Sequence, residues 1–222
     1  QKGEFNLKCE STSLELKALA TDENSKIHPS SIYGINKQQQ EQMIMLMGKS
    51  LGIPSVAFRY QNVYGPGQSL SNPYTGILSV LSTRILNRNE LEIYEDGLQS
   101  RDFVYIDDVV EATILGIEKD EANGEVFNVG SGVAITVRQV AESLKTLFKS
   151  DVNINITGKF RSGDIRHNYA DLDKINRLLG FNPRYNFQQG LSKFVDWVKS
   201  QNIQEDRYEE SIIELKSRGL IS

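Results

Sequence analysis

The sequence predicts an α/β fold in which helices and short strands alternate in layers, and three observations carry that prediction. A long helical stretch with a clear stop runs from Ser31 to Gly52. Short apolar or β-rich runs bounded by turn residues recur at Ser55 to Tyr60, Phe103 to Ile106 and Glu125 to Val129. Two later segments, Val137 to Phe148 and Leu191 to Val198, repeat apolar residues at helical spacing.

Taken in order, Gln1 to Pro29 is polar and without a clear period, rich in Lys, Glu, Ser and Thr between Glu10 and Asp22, and reads as a loop or insert. Residues 1–30 are set apart on that ground, and 31–222 form the folded body. Helix begins near Ser31 and continues through Gln38, Gln42, Met45 and Lys49 to Gly52, with Pro54 preventing its extension. Ser55 to Tyr60 then reads as a buried strand. Asp96-Gly97 marks a turn, and Phe103 to Ile106 is a short strand running into Asp107, a natural N-cap for a helix from Val109 to Lys119. Asp107 and Asp108 are therefore expected to be caps rather than catalysts. Glu125 to Val129 ends in the turn Gly130-Ser131-Gly132, which can face a phosphate but is ordinarily only a turn.

Thr136-Val137-Arg138-Gln139 matches a capping box, and the helix after it sets Val137, Val140, Ala141, Leu144, Leu147 and Phe148 on one face. Asp171 is expected to cap another helix that Gly180 and Pro183 close. Leu191, Phe194, Val195 and Val198 lie on one helical face, with Trp197 packed beside them as core. The last amphipathic stretch, Glu209 to Arg218, reads as an appended helix with no evident role, and no internal repeat is visible.

Composition narrows the function classes. The 222 residues are 39% hydrophobic, enough for a sizeable core. No apolar run approaches the roughly 18 residues of a membrane span, and the first ten residues lack a signal-peptide core, so the expectation is a cytoplasmic protein with no membrane partner. The formal charge is −4, from 25 basic and 29 acidic residues with no basic stripe, which argues against nucleic acid. Cys9 is the only cysteine, and His28 and His167 are far apart, so neither a disulfide framework nor a metal site is expected.

The most informative pair is Tyr33 and Lys37, which one helical turn sets on the same face with Cβ atoms roughly 6 Å apart. A free phenol ionises only near pH ~10, so service as a base near neutrality needs a shift of about three units, or roughly 4 kcal/mol. An ammonium about 4 Å away supplies roughly that much at an effective dielectric near 20. Taken alone, this spacing is more often a solvated helix face. Three further segments change its meaning: Phe58-Arg59-Tyr60-Gln61-Asn62-Val63-Tyr64-Gly65-Pro66-Gly67-Gln68, then Gly97-Leu98-Gln99-Ser100-Arg101-Asp102-Phe103-Val104-Tyr105-Ile106-Asp107-Asp108-Val109, and Arg161-Ser162-Gly163-Asp164. With Tyr33 and Lys37, and in this order, they resemble the extended short-chain dehydrogenases/reductases that epimerise or dehydrate nucleotide sugars. The likeness runs from about Ser30 to about Lys199.

That resemblance implies the C-terminal part of a Rossmann-like fold interleaved with a smaller substrate-binding domain, NAD as cofactor, a nucleotide-diphosphate sugar as substrate, and a homodimer. It implies that Tyr33 exchanges a proton with a sugar hydroxyl, while Lys37 tunes it and holds the nicotinamide ribose. Tyr60 and Gln61 fall beside the nicotinamide. Asn62 matches a substrate-contacting Asn, Asn72 lies in the segment that follows the sugar, and Ile93 and Tyr94 match the wall against the base. Arg101 and Arg161 match arginines that reach the diphosphate and nucleotide ribose, and Asp164 an acid near the nucleotide. The run from Arg59 to Leu78 is most similar to dTDP-L-rhamnose 4-epimerases and near relatives, although the cysteine pair of some relatives is absent.

Other family features are missing. The chain has no opening strand, glycine-rich turn and helix for a pyrophosphate, and Gly65-Pro66-Gly67 is no substitute because Pro66 lacks an amide hydrogen. Nor is the family's catalytic Ser or Thr assigned, since counting back from Tyr33 lands near Cys9 to Ser11, outside the usual strand-end context. Set against the family, the sequence starts after the first four or five strands, which predicts a fragment, a proteolytic product or the ordered part of a longer polypeptide. The expected function is an NAD-dependent nucleotide-sugar 4-epimerase passing through a 4-keto intermediate, with this chain inactive alone. The alternatives are a dehydratase, decarboxylase or reductase of the same family, or a non-catalytic sugar-nucleotide-binding module.

Overall fold

Ser31 opens the first helix by accepting the Gly34 N–H on its hydroxyl, and α1 then spans Ile32–Leu51 in the computed structural model, which describes residues 4–72, 76–161, 163–217 and 219. Gly52 ends it at φ 66°, a left-handed value that a glycine adopts at little cost. Pro73, Tyr74, Thr75, Ser162 and Arg218, all within segments singled out above, lie outside the described residues.

Two strands follow, β1 (Ala57–Tyr60) and β2 (Asn62–Tyr64), then α2 (Ile77–Leu86), β3 (Leu91–Ile93) and β4 (Ser100–Tyr105). Beyond them come α3 (Ile106–Glu118), β5 (Val126–Val129), β6 (Ala134–Thr136), α4 (Val137–Phe148), β7 (Ile154–Ile156), β8 (His167–Asn168), α5 (Asp173–Leu179), α6 (Phe187–Lys199) and α7 (Tyr208–Ser217). β1 pairs in parallel with β5, and β3 with β7. β4 is the hub of the third sheet: it runs parallel to β2 and β8 and antiparallel to β6. Short parallel strands joined through helices make this a mixed α/β architecture.

β1 departs from expectation. It starts at Ala57 and is only half-buried, with Tyr60 45% exposed, because β5 is its sole neighbour among the described strands and its outer edge is uncovered. Arg59 joins it to α1 through two bonds to Glu41, at 2.8 and 2.7 Å, and reaches the Glu23 carbonyl at 3.0 Å. The leading polar segment is correspondingly tied in. Thr21 bridges to Ala170, Glu23 accepts the Asn128 N–H at 2.7 Å, and an antiparallel bridge links Lys8 to Glu15.

The two aspartates after β4 are not caps. α3 already begins at Ile106 with Tyr105 in the cap position, so Asp107 lies in the first turn. Asp108 is buried and accepts the N–H groups of Arg184 (2.9 Å) and Tyr185 (3.2 Å), fastening the approach to α6. Burial, against these two N–H groups, pushes its carboxyl above the usual range. Leu172 occupies the cap position of α5, while Asp171 beside it accepts the Asp173 N–H at 2.8 Å. The capping box at Thr136 and Gln139 forms as the pattern predicts, and a second, at Asn186 and Gln189, opens α6.

Two apolar cores result. One gathers Leu78, Leu81, Leu91, Ile93, Val140, Leu144, Leu191 and Phe194 around Phe103, Tyr64 and Tyr105, with Trp197 packed at its edge. The other joins Val109, Ala112, Phe127, Val129, Ile175, Leu179 and Phe181 around Val104.

Candidate functional site

A cavity of about 680 Å³ opens where the starts of β2 and β4 and the end of β3 meet α2, α7, the residues Arg161, Gly163 and Asp164, and the threshold of α1. Its size suits a small organic ligand. Asn62, Ile93, Tyr94, Arg101, Arg161 and Asp164 all line it, so segments far apart in sequence share one wall. The parallel pairing of β2 with β4 sets Asn62 opposite Phe103, two residues along from Arg101, and β3 delivers Ile93 directly into Tyr94.

One end is charged. Arg101 donates to Asp164 Oδ1 at 2.8 Å and to the carbonyls of Ser100 and Arg166 at 2.8 and 3.2 Å, so its head is fixed before any ligand arrives. Asp164 also accepts the Ile165 N–H at 2.9 Å. Ser30 donates to the Gly163 carbonyl at 2.9 Å, coupling the segment that carries Arg161 and Asp164 to the threshold of α1. Two arginines here can meet a diphosphate by charge-assisted bonds in an otherwise acidic molecule.

The same lining carries an aliphatic and phenolic set, Ile77, Val80 and Leu81 from α2, Ile93 and Tyr94, and Tyr208, Ile212 and Leu215 from α7, with the carboxylates of Glu92 and Glu95 beside Ile93 and Tyr94 in sequence. Tyr208 donates to Tyr94 Oη at 3.3 Å. Burial first, then that bond, push the Tyr208 phenol far up, so it stays neutral. Gln99 lines the cavity as well, its amide nitrogen held by the Tyr94 carbonyl at 3.1 Å and its buried oxygen without a hydrogen-bond partner among the described residues. None of the α7 residues, nor Gln99, had been singled out from the sequence. The amphipathic period of residues 209–218 marked a helix but carried nothing about what it would cover.

The remaining candidates lie elsewhere. Tyr33 is 72% exposed on α1 with the Lys37 ammonium 5.6 Å from its ring centroid, so the pair shares a face as the spacing requires. Neither residue lines the cavity, which reaches α1 only at Ser30 and Ser31. Lys37 also donates to Gln40 at 3.3 Å. Tyr60 bonds Thr113 at 3.0 Å, and the Gln61 side chain accepts from Asn168 at 2.9 Å. Asn72 borders a separate small crevice with Leu70, Thr83 and Asp206.

The glycine-rich turn has another job. Asp102, 1% exposed, accepts the Ser131 N–H and hydroxyl at 2.7 and 2.6 Å and the Gly132 N–H at 2.9 Å, so these amides are spent on a carboxylate within the chain. A dinucleotide needs unspent amides at a helix start for its pyrophosphate, and this turn does not offer them. Among the described residues no His/Cys/Asp/Glu group is arranged to hold a metal, and no helix is long and apolar enough to cross a membrane.

Comparison with known proteins gives these features a frame. Residues 12–130 match the model of the NAD dependent epimerase/dehydratase family. A dTDP-L-rhamnose 4-epimerase of Burkholderia thailandensis is 34% identical over 173 residues, covering 78% of this chain and 47% of that protein. Among solved structures, a UDP-glucose 4-epimerase of Thermotoga maritima with UDP-glucose superposes with a TM-score of 0.75 at 34% identity, covering 83% of this chain and 59% of that one. A UDP-glucuronic acid 4-epimerase of Bacillus cereus, in complex with UDP-glucuronic acid and NAD, gives 0.73 at 30% identity, covering 82% and 57%. Other matched relatives are named as decarboxylases or dehydratases. The chain spans about half the length of the curated relatives it matches.

Proposed function

The chain belongs to the NAD-dependent epimerase/dehydratase family, and from that premise we propose that it is the substrate-binding and Tyr/Lys-bearing portion of a nucleotide-sugar 4-epimerase. The observation that supports this reading is that Asn62, Arg101, Arg161 and Asp164 line one cavity together with an aliphatic and phenolic set. A nucleotide sugar has that same polarity, with a doubly charged diphosphate between a hydroxyl-rich sugar and a planar base.

In this reading Arg101 and Arg161 bind the diphosphate, Asp164 holds Arg101 in place, and Asn62 contacts the sugar. Tyr33 takes the proton of the sugar 4-hydroxyl and later returns one to the oxygen, with the Lys37 ammonium 5.6 Å from its ring centroid. Tyr33, Lys37, Tyr60 and Gln61 would hold the nicotinamide end of NAD, which when bound supplies a reversible hydride acceptor. The 4-keto sugar turns over between the two transfers. The 222-residue chain by itself is inactive in this reading, and the complete enzyme works in the cytoplasm as a homodimer.

The test incubates the full-length gene product with NAD and a panel of UDP- and dTDP-sugars, followed by NMR. We expect interconversion of C4 epimers, and Tyr33→Phe should lower kcat by about 10²–10⁴-fold, the usual worth of a positioned acid/base. Unchanged turnover in that variant would falsify the assignment. A stable keto product moves the reading to a dehydratase, and nucleotide binding without turnover moves it to a binding module.

A further inference from the structure

The C-terminal helix lies outside the residues that match the family model, yet it closes one side of the cavity. Its attachment is specific. Arg84 of α2, 5% exposed, donates to the Glu90 carbonyl at 2.7 Å, pairs with Asp206 at 3.3 Å and Glu209 at 3.5 Å, and lies 4.2 Å from the centroid of the Tyr208 ring. Asn87 and Asn89, just after α2, reach the Gln204 carbonyl (2.9 Å) and Asp206 Oδ2 (2.7 Å). The segment before α7 is thereby stitched to the end of α2, and α7 is led across the cavity with Ser211 and Ile212 buried beneath it.

We propose that α7 forms the nucleobase subsite of this cavity, with Ile212 and Leu215 facing Ile93 across the space the base occupies and the bonded pair Tyr208 and Tyr94 closing one side of it. The inference rests on the nucleotide-sugar reading above and deepens it. Its chemical ground is what each element brings to the lining: the cations are Arg101 and Arg161 and the carboxylates Glu92, Glu95 and Asp164, while α7 contributes no charge, only Ile212, Leu215, the small Ser211 and a neutral phenol. Of the three parts of a nucleotide sugar, only the base presents a broad face of low charge. Tyr208 is also locked at both ends, its ring by Arg84 and its hydroxyl by Tyr94 and, at 3.5 Å, Glu92, so this wall is preformed. A preformed wall saves the entropy of ordering it on binding.

The test uses calorimetric titration of the 222-residue chain with two probes, UDP and inorganic pyrophosphate. UDP should bind more tightly than pyrophosphate. Leu215→Ala and Ile212→Ala should each weaken UDP by about tenfold, the loss of a few apolar contacts, and leave pyrophosphate unchanged. Arg101→Ala should weaken both probes. Equal UDP affinity in all α7 variants overturns the subsite while leaving the nucleotide-sugar reading intact, as does a parallel loss of UDP and pyrophosphate in those variants. Failure of the unaltered chain to bind either probe overturns both. Because Ile212→Ala removes a buried contact and can loosen α7 itself, photo-crosslinking of 5-iodo-UDP to the unaltered chain gives an independent answer. Adducts on Tyr208 or another residue of α7 support the subsite, and adducts confined to other elements, Tyr94 included, overturn it.

Discussion

Asp102, buried beside Arg101 on β4, gathers the chain around it more than the sequence patterns suggest. Its two carboxylate oxygens accept four donors, from Ser131, Gly132 and Ala170, and so clamp the 130–132 turn and the strand end after β8 against β4, directly beside Arg101. Asp102→Asn turns an acceptor into an N–H₂ facing donors in a buried place, and should cost about 2–4 kcal/mol in a urea titration. A loss below about 1 kcal/mol would mean that the turn holds itself. Asp102 was unreadable in the sequence for a physical reason: its partners lie 29, 30 and 68 residues away, so nothing local distinguishes it from a surface acid. Arg101, next to it, was legible because the motif carries the residue type that anion binding demands. Cys9 is a different case, in that the sequence showed only a lone cysteine. The Ser11 hydroxyl, 3.2 Å away, and then Thr12 draw its thiol down to about 6. Alkylation by iodoacetamide should therefore rise with pH through a midpoint near 6, and a midpoint above 8 would show that these hydroxyls do not reach the thiolate. With no second cysteine in the sequence, the readout reports on Cys9 alone.

The elements divide by how local their causes are. α1 and α4 were legible nearly to the residue, because Ser31, Gly52 and the Thr136/Gln139 box satisfy backbone groups of their own helices. α3 was misplaced at its start because Tyr105, which carries no capping side chain, occupies the cap position, and the more suggestive Asp108 is committed to a segment 76 residues on. α7 was visible as a period and opaque as a function, since its docking rests on partners more than a hundred residues away, of which Arg84 of α2 is the one buried cation. That dependence is testable. Arg84→Leu leaves Asp206, 9% exposed, without its partner, and breaking a buried pair in this way costs about 3–5 kcal/mol. The loss should appear as local opening of the 202–207 segment, with cleavage by a Glu-specific protease after Glu205 at least about tenfold faster than in the unaltered chain. An unchanged cleavage rate would show that Asn87 and Asn89 suffice to hold the segment.

At the scale of the whole molecule, β4 decides whether the protein behaves as one unit or two. Its side chains alternate, as a strand requires: Phe103 and Tyr105 enter the core shared by α2, α4 and α6, while Val104 enters the core of β5, α3 and α5. Both cores therefore converge on three consecutive residues, each under 5% exposed. The cavity is walled by Leu81, Ile93 and Val137 of the first core, with Arg101 on the strand that carries the junction. Such an arrangement predicts one cooperative transition. Trp197, the lone tryptophan, packs on Phe194 with ring centroids 5.8 Å apart and reports the first core, while far-UV circular dichroism reports the helices of both. The two signals should follow coincident urea curves. Val104→Ala removes two buried methyl groups from the second core alone and should lower stability by about 2 kcal/mol. If β4 couples the cores, the Trp197 curve moves to lower urea by the same amount as the dichroism curve, although Trp197 does not belong to the core that was altered. If the Trp197 curve stays in place while the dichroism curve splits into two steps, the cores unfold separately and β4 is a boundary between them.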